Sequence, residues 1–375
     1  MPTLTTAELV AGIEAWTRCE SPSSAPAAIA TMVALVEQHA RDAGLATEVS
    51  AISDKTGPLL HITNRADGDT RPGILILGHL DTVHPIGTLA QNPVRIEGDR
   101  LYGPGGYDMK AGIYLALSAL GRLSTPGATK LPVDFLLVPD EETGSHASRP
   151  SIEKFARAAK YALVCEPARA DRGRCVTARK GTGMAWIKVE GRPAHAGVDH
   201  AKGRSAIREM AHQVLALEAI TDYARGVTVN VGTIRGGTVG NTVPQHCHAL
   251  VDFRVPDLAA AEDVLAKIRA LKAVGPDTAL GIEVELNRPP MVRTDAVARL
   301  LERAARWASE AGFTLEEAPM TGGGSDANFT SALGVPTLDG LGADGDGAHT
   351  LQEHVLVSTL PKRLEFWDRL LRNLD

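Results

Sequence analysis

Three short apolar runs constrain the fold of this 375-residue chain more than any other feature. They are GILILGH from Gly73, VDFLLV from Val133 and YALVC from Tyr161. A strand that is apolar on both faces belongs in the middle of a sheet that is covered on both sides. Apolar residues at helical spacing, such as those within residues 109–123, separate the runs. This alternation predicts an α/β domain with a mostly parallel, mixed sheet flanked by helices.

The pattern changes after Cys175, where strands with alternating polar and apolar residues begin. The predicted strands and helices of this part cover residues 184–189, 205–219, 227–234, 246–255 and 258–271. A helix over residues 295–312 and a final helix over residues 359–374 then restore the α/β pattern. The sequence therefore predicts one discontinuous α/β domain that is interrupted by a smaller α+β domain.

Composition and charge argue against several classes of function. The 39 Lys and Arg residues and the 45 Asp and Glu residues give a formal net charge of -6, with no basic run that could follow a phosphate backbone, so we expect no nucleic-acid partner. No apolar run approaches the roughly 20 residues that cross a bilayer, and the first residues lack the basic start of a signal peptide, so we expect no membrane partner. The four cysteines form no CxxC pair, which favours reduced thiols and a cytoplasmic location.

Four clusters of acids and histidines carry the candidate chemistry. Each is expected to follow the end of a strand, where open α/β sheets bind their ligands. Taken singly, a His and Asp at a strand end are more often a structural pair, and adjacent glutamates usually lie in a solvated loop. The clusters are His79 with Asp81 in GHLDTVHP, Asp108 in GPGGYDMKAG, Glu141 with Glu142 in PDEETGS, and Glu166 in CEP.

Together the four clusters would gather several carboxylates at one rim of the sheet. Like charges at such short range disfavour one another's ionisation unless cations neutralise them. Imidazole and carboxylate ligands suit zinc and related divalent ions. Because residues i and i+2 of an extended segment share a face, the Asp81 carboxylate could orient the His79 ring on such an ion. The clusters therefore predict a metal site.

The motifs also carry a family resemblance that spans nearly the whole chain. In order they are GHLDTVHP, GPGGYDMKAG, PDEETGS, CEP, GRPAHAG, GGGSDANF and AHTLQEH. This series resembles the di-zinc exopeptidases and deacylases that include glutamate carboxypeptidase, acetylornithine deacetylase and succinyl-diaminopimelate desuccinylase. The GGGSDANF segment most resembles the glutamate carboxypeptidase branch. It lacks the GxxxxGK[ST] pattern of a phosphate loop and the GxSxG pattern of a nucleophilic serine.

The resemblance implies two zinc ions per chain. Asp108 would bridge them, His79 and Glu166 would complete one site, and Glu142 and His349 would complete the other. The same nitrogen and oxygen donors would also accept Co²⁺ or Mn²⁺. A carboxylate shared between two divalent ions lowers their mutual repulsion, which gives the implied bridge a physical reason.

The resemblance also assigns catalytic roles. Glu141 resembles the general base that takes a proton from the attacking water and gives it to the leaving nitrogen. Asp81 would hold His79. His195 in GRPAHAG matches a histidine that stabilises the oxyanion of the tetrahedral intermediate, often across a dimer.

The smaller domain would be a lid and dimerisation domain of residues 180–290, inside a zinc-binding catalytic domain of residues 1–179 and 291–375. Asn241 and Arg254 match lid positions that contact substrate, and Arg288 in NRPPM is a further candidate. For Arg254, pairing with a neighbouring acid is an equally good interpretation. Gly323 lies in the glycine-rich turn that shapes the pocket. The implied assembly is a homodimer through the lid domain.

The expected function is zinc-dependent hydrolysis of an amide bond in a small N-acyl amino acid or short peptide. A carboxypeptidase that releases C-terminal glutamate or a similar amino acid fits the motifs best. The alternative is a deacylase of the acetylornithine deacetylase or desuccinylase type, which shares all five ligands. A more distant alternative is a non-catalytic relative that binds small ligands; it would be expected to lack a metal ligand or the base, and this chain has all of them.

Overall fold

The structure is a computed structural model that describes residues 4–125, 127–169 and 173–375. Within it the chain forms two compact units. The first unit contains the residues up to Ala178 together with Val292–Thr321 and Ser325–Asp375. The second, called the inserted unit below, contains Arg179–Met291 and Gly322–Gly324.

Strands and helices follow one another along the chain in both units. The strands are β1 Ala46–Ser50, β2 Leu59–Thr63, β3 Gly73–His79, β4 Arg95–Glu97, β5 Arg100–Tyr102, β6 Val133–Val138, β7 Ala159–Val164, β8 Gly181–Glu190, β9 Thr228–Gly236, β10 His246–Val255, β11 Ala279–Arg288, β12 Thr337–Leu338, β13 Gly345–Asp346 and β14 His354–Leu356. The helices are α1 Thr6–Thr17, α2 Pro26–Asp42, α3 Thr88–Gln91, α4 Ala111–Arg122, α5 Arg149–Arg157, α6 Ala206–Glu218, α7 Leu258–Arg269, α8 Asp295–Glu310, α9 Ala327–Ala332 and α10 Leu360–Asn373. Single 3₁₀ turns cover Glu141–Thr143, His200–Lys202 and Val357–Thr359, and Gly106–Lys110 forms an irregular turn in which the backbone of Asp108 and Met109 is not helical.

The first unit is built on a six-stranded sheet with the order β1-β2-β6-β3-β7-β12. β3 pairs in parallel with both β6 and β7, and β7 pairs in parallel with β12. β2 is antiparallel to β1 and to β6. All seven residues of β3 are buried, as expected for a strand that is covered on both faces. The predicted fold class, a mixed and mostly parallel sheet flanked by helices, is confirmed.

Helix ends in the first unit follow local sequence signals. α1 begins with a reciprocal capping box, in which Thr5 Oγ1 accepts from the Glu8 amide and the Glu8 carboxylate accepts from the Thr5 amide. α2 begins at a proline and is followed by Gly44 in the left-handed conformation. α4 is buried along almost its whole length and packs against α10, which places it inside the core.

A second, smaller sheet in the first unit has the order β13-β14-β5-β4 and is antiparallel throughout. Its strands have only two or three residues, so periodicity in the sequence did not reveal it. The sheet matters because the loop after β5 carries Asp108 and the loop between β13 and β14 carries His349.

The inserted unit contains an antiparallel sheet with the order β11-β8-β10-β9 and two helices, α6 and α7, that pack on it. Along β10 the residues alternate between buried and more exposed positions, as in a sheet with one covered face. The unit has its own apolar core. β11 was not among the predicted strands; its apolar side chains lie at the sheet edge and are only partly buried.

The inserted unit extends one residue beyond the expected interval of residues 180–290 at each end and also contains Gly322–Gly324. These glycines were expected in the larger domain. Their carbonyl groups accept hydrogen bonds from Arg254 and Arg179, which ties the segment to the inserted unit. None of the helices in the described ranges combines the length and apolar character that a bilayer span requires.

Candidate active site

Three neighbouring strands of the six-stranded sheet end at the candidate site. His79 is the last residue of β3, Glu141 and Glu142 follow β6, and Glu166 follows β7. Because β6, β3 and β7 are adjacent and parallel, their carboxyl ends lie at one edge of the sheet. The sheet topology therefore gathers these side chains, as the strand-end clusters predicted.

Asp108 reaches the same place by a different route. It follows β5 of the small sheet rather than a strand of the large one, and it lies in a glycine-rich loop before α4. Gly105 in this loop has φ of 68°, and a Cβ atom at this position would lie 2.4 Å from Thr82 Cγ2. Only glycine meets both conditions without strain. Pairing of β14 with β5 brings the loop that carries His349 beside this one.

The two carboxylate oxygens of Asp108 face different histidines. Oδ1 lies 3.2 Å from His79 Nε2, and Oδ2 lies 3.3 Å from His349 Nε2. Glu142 Oε2 is 3.3 Å from the same atom of His349. Glu166 Oε1 is 4.0 Å from His79 Nε2. The five predicted ligands thus form two groups that share Asp108.

The donor set fits divalent metal ions. Ligand atoms of His79, Asp108 and Glu142 lie within 4.8 Å of one another, and so do those of His79, Glu141 and Glu166. Among the described residues, no hydrogen-bond partner is found for the buried Oε1 of Glu142. An unsatisfied buried carboxylate oxygen is costly, and coordination to a cation would satisfy it.

The electrostatics of the two histidines reflect the surrounding acids. Hydrogen bonds to Asp108 and then to Glu142 raise the pKa of His349 from 6.5 to about 10. Burial lowers the pKa of His79, but the hydrogen bond to Asp108 and the charges of Asp81 and Glu142 outweigh it and leave this pKa well above its ordinary value. In the metal-free protein these shifts favour the protonated form of both rings.

The pKa values of the neighbouring carboxyl groups shift in opposite directions. Burial raises the pKa of Asp108, but hydrogen bonds from His349 and His79 outweigh burial and lower this pKa. Burial and the charges of Asp108 and Glu141 raise the pKa of Glu166 well above its ordinary value. Burial is also the main reason that the pKa of Glu142 is raised. In the metal-free protein, two of these three carboxyl groups are thus shifted towards the neutral form.

The carboxylate of Asp81 does not make the contact to His79 that the sequence suggested. Its backbone carbonyl oxygen, not its carboxylate, makes the 2.8 Å contact to His79 Nδ1, while the nearest carboxylate oxygen lies 3.6 Å away. The carboxylate instead accepts from the Ser23 hydroxyl and from the amides of Glu141 and Glu142. Burial raises the pKa of this carboxyl to about 7. Asp81 thus holds the strand-end turn that carries both glutamates.

Glu353 is a residue that the sequence reasoning missed. It is fully buried, and its side chain accepts from backbone amides of Gly105, Tyr107 and Asp108. Nε2 of His84, in the GHLDTVHP motif, lies 2.6 Å from Oε2 of Glu353. A signal was present, because Glu353 is the acid of the AHTLQEH motif.

The remaining candidates lie in the inserted unit. His195 is exposed, and its Nδ1 accepts from the amides of Gly197 and Val198 at 3.1 and 3.2 Å. A neutral ring with this pairing carries its proton on Nε2. Asn241 is also exposed, and its backbone carbonyl oxygen accepts from the Ala196 amide at 2.9 Å. The structure therefore brings the His195 and Asn241 segments together.

Two arginines and a glycine complete the candidates. Arg254 makes two hydrogen bonds to the carboxylate of Asp252, at 2.8 and 2.7 Å, which is the acid pairing that the sequence left open. Arg288 ends β11 and is largely buried. The carbonyl oxygen of Gly323 accepts from Arg179 Nη1 at 3.0 Å.

Comparison with known proteins settles the family. The chain matches the model of peptidase family M20/M25/M40 over residues 75–373. It belongs to this family. Carboxypeptidase G2 from Pseudomonas sp. (strain RS-16) is 32% identical over 319 residues, which cover 84% of this chain and 77% of that protein. A succinyl-diaminopimelate desuccinylase from Caulobacter vibrioides is 28% identical over 332 residues, which cover 81% of this chain and 82% of that protein.

Solved M20 structures share the fold. An M20 metallo-carboxypeptidase from Sulfolobus solfataricus superposes with a TM-score of 0.77 at 18% identity, covering 97% of this chain and 98% of that one. The aminopeptidase PepT of Bacillus cereus ATCC 10987 gives a TM-score of 0.76 at 23% identity, with 99% of each chain covered. The expected membership of the carboxypeptidase and deacylase family is confirmed: the chain is an M20 metallohydrolase that acts on amide bonds.

Proposed function

We propose that this M20 protein holds two zinc ions and acts as a carboxypeptidase, releasing a C-terminal glutamate or a similar amino acid from an N-acyl or peptidyl substrate. The observation that carries the proposal is the position of Asp108 between two histidines, with one oxygen facing each. His79 and Glu166 would complete one zinc site, and Glu142 and His349 the other. Co²⁺ or Mn²⁺ could replace zinc with the same donors.

The chemistry that zinc supplies in such a centre is polarisation of the amide carbonyl and acidification of a water molecule. Glu141 accepts the proton of this water and returns it to the leaving nitrogen. Its position supports the role, since its carboxylate lies within 4.8 Å of ligand atoms of His79 and Glu166. Asp81 holds the backbone of Glu141 in place through the 3.1 Å hydrogen bond to its amide.

We assign the carbonyl oxygen of the substrate to His195 and its free carboxylate to Arg288. The Nε2 proton of His195 is a suitable donor for an oxygen that gains negative charge during attack. The guanidinium of an arginine binds a carboxylate through two parallel hydrogen bonds. Arg288 is the arginine proposed for this contact; Arg254 already donates two hydrogen bonds to Asp252, and Arg288 donates one to Asn287 Oδ1. Asn241 and Gly323 supply further polar contacts.

The protein would work as a homodimer in the cytoplasm. Support for the dimer comes from the inserted unit, where β9 is an edge strand and Ile234 on it is half exposed. On α6, Ile207 and Leu215 are exposed apolar residues on one side of the helix. An edge strand beside exposed apolar side chains suits pairing with a second copy of the same surface.

The second candidate is deacylation of the acetylornithine or succinyl-diaminopimelate type. It is kept because a succinyl-diaminopimelate desuccinylase matches 81% of this chain and an acetylornithine deacetylase matches 50% of it. The two activities share the metal centre and differ in the part of the substrate that the pocket recognises.

The proposal can be tested by two measurements on one preparation of the purified protein. Metal analysis should give two zinc ions per chain, and a panel of N-acyl glutamates, dipeptides, acetylornithine and succinyl-diaminopimelate should give the highest kcat/KM for an acyl glutamate. Full activity after removal of all metal by a chelator would refute the mechanism. A preference for acetylornithine or succinyl-diaminopimelate would favour the deacylase.

A further inference from the structure

The loop that presents the shared ligand Asp108 is held by one buried acid. Oε1 of Glu353 accepts from the amides of Tyr107 and Asp108 at 3.0 and 2.9 Å. Oε2 accepts from the Gly105 amide at 3.0 Å and lies 2.6 Å from His84 Nε2. Three backbone donors within four residues thus converge on one carboxylate that no solvent reaches.

We propose that Glu353 is the positioning residue of the metal centre: it fixes the backbone at Asp108 so that the two carboxylate oxygens stay directed to different ions. The inference rests on the two-metal site proposed above. Glu353 itself is not a ligand in this scheme. Its contribution is to order the loop before metal binds, so that the ions do not have to supply the free energy of ordering it.

The position of Glu353 in the chain links it to both halves of the centre. It lies four residues after His349, and its own carbonyl oxygen accepts from the Gly103 amide at 3.3 Å. One segment therefore provides His349, a proposed ligand of the second site, and Glu353, which holds the loop of the shared ligand Asp108. Loss of the anchor should weaken metal binding at both sites, because Asp108 serves both.

The carboxylate cannot be replaced by a neutral group of the same shape. In Glu353→Gln, one oxygen becomes an NH₂ group, which would face at least one backbone N–H as a second donor. The two donors repel, and a buried amide hydrogen loses its acceptor. The loop should then leave the conformation that directs Asp108 to the two histidines.

The test is zinc affinity measured on metal-free protein by competition with a chromophoric chelator. We expect Glu353→Gln to bind zinc about 10- to 100-fold more weakly than the wild type, the usual effect of losing an outer hydrogen-bond partner of a metal ligand. Glu209→Gln is the matched control. Glu209 is also buried and accepts from the amides of Val274 and Gly275, but it lies in the inserted unit.

The control separates positioning from general stability. Both variants should lower the temperature of unfolding, whereas only Glu353→Gln should lower zinc affinity. A folded Glu353→Gln protein with wild-type zinc affinity would overturn the inference. Wild-type protein that binds fewer than two zinc ions would instead count against the proposed function, so the two failures can be told apart.

A second measurement needs no variant and covers the case in which Glu353→Gln does not fold. In metal-free wild-type protein, hydrogen exchange in peptides covering residues 103–110 should be much slower than in an unstructured peptide of the same sequence, because Glu353 holds three of their amides without metal. Exchange at the unstructured rate would show that the metal, and not Glu353, orders the loop.

Discussion

At the residue scale, two adjacent glutamates have different surroundings. Glu142 contacts His349 through Oε2, whereas Glu141 lies within 4.8 Å of ligand atoms of His79 and Glu166. Both backbone amides are held by Asp81, so the turn between β6 and α5 is fixed and the two side chains can do different work. One would bind metal, and the other would move a proton.

The first prediction follows from this division. Glu141→Gln should lower kcat about 10²- to 10⁴-fold, because an amide cannot accept the proton of the attacking water. Metal analysis should still find the wild-type zinc content. Glu48→Gln, at an exposed position on β1, is the control and should leave kcat unchanged. Wild-type kcat in Glu141→Gln would rule out its role as the base.

The second prediction concerns the pH dependence of the metal-free protein. The pKa of His349 is raised from 6.5 to about 10 in the folded state by its hydrogen bonds to Asp108 and Glu142. A raised pKa stabilises the folded state fully below pH 6.5, and the contribution is lost as pH rises towards 10. The difference in Tm between wild type and His349→Gln should therefore shrink across this window. A constant difference from pH 6 to 10.5 would contradict the assignment.

Residue types indicated candidate ligands, but not the atoms that hold them in place. The strand-end clusters contain four of the five proposed ligands, and the family resemblance added His349. It could not show that the carbonyl of Asp81 contacts His79 while its carboxylate accepts two amides. It also could not show that Glu353 reaches back to the Asp108 loop. These contacts depend on tertiary geometry between distant segments.

At the element scale, the loop from β5 to α4 depends on the absence of a side chain at Gly105. Gly105→Ala would place a Cβ atom 2.4 Å from Thr82 Cγ2, in addition to the strain of φ at 68°. Gly98→Ala is a matched control, since Gly98 has φ of 61° and would place no Cβ contact within 4 Å. The destabilisation caused by Gly98→Ala should therefore come from backbone strain alone.

The third prediction compares these two variants. Gly105→Ala should lower the free energy of unfolding by about 1–3 kcal/mol more than Gly98→Ala, the usual range for forcing a methyl group into packed space. Urea unfolding of the metal-free proteins measures the difference. Equal losses in the two variants would mean that Thr82 moves aside at little cost.

Strand prediction succeeded where burial was strong. β6 and β10 have the bounds that the sequence indicated, and β3 spans the GILILGH run. The prediction missed β11, whose partly buried apolar residues alternate with exposed glutamates such as Glu283 and Glu285. The alternation in this segment is typical of a half-buried strand, so the signal was present in the sequence and was not used.

At the scale of the whole molecule, the fourth prediction tests the dimer. Leu215→Lys would place a charge on the exposed apolar side of α6 and should convert a dimer into monomers in sedimentation experiments. Leu258→Lys changes another exposed leucine, on α7 of the same unit, and should leave the dimer intact. A wild-type protein that sediments as a monomer would refute the dimer itself.

The wide separation of the proposed metal ligands along the chain has a consequence for synthesis. A ribosome makes His79, Asp108, Glu142 and Glu166 well before it reaches His349 and the anchor Glu353. At about 5–20 residues per second, the four early residues wait on the order of ten seconds or more for the last two. The proposed two-ion centre can therefore form only after residue 353 has been made.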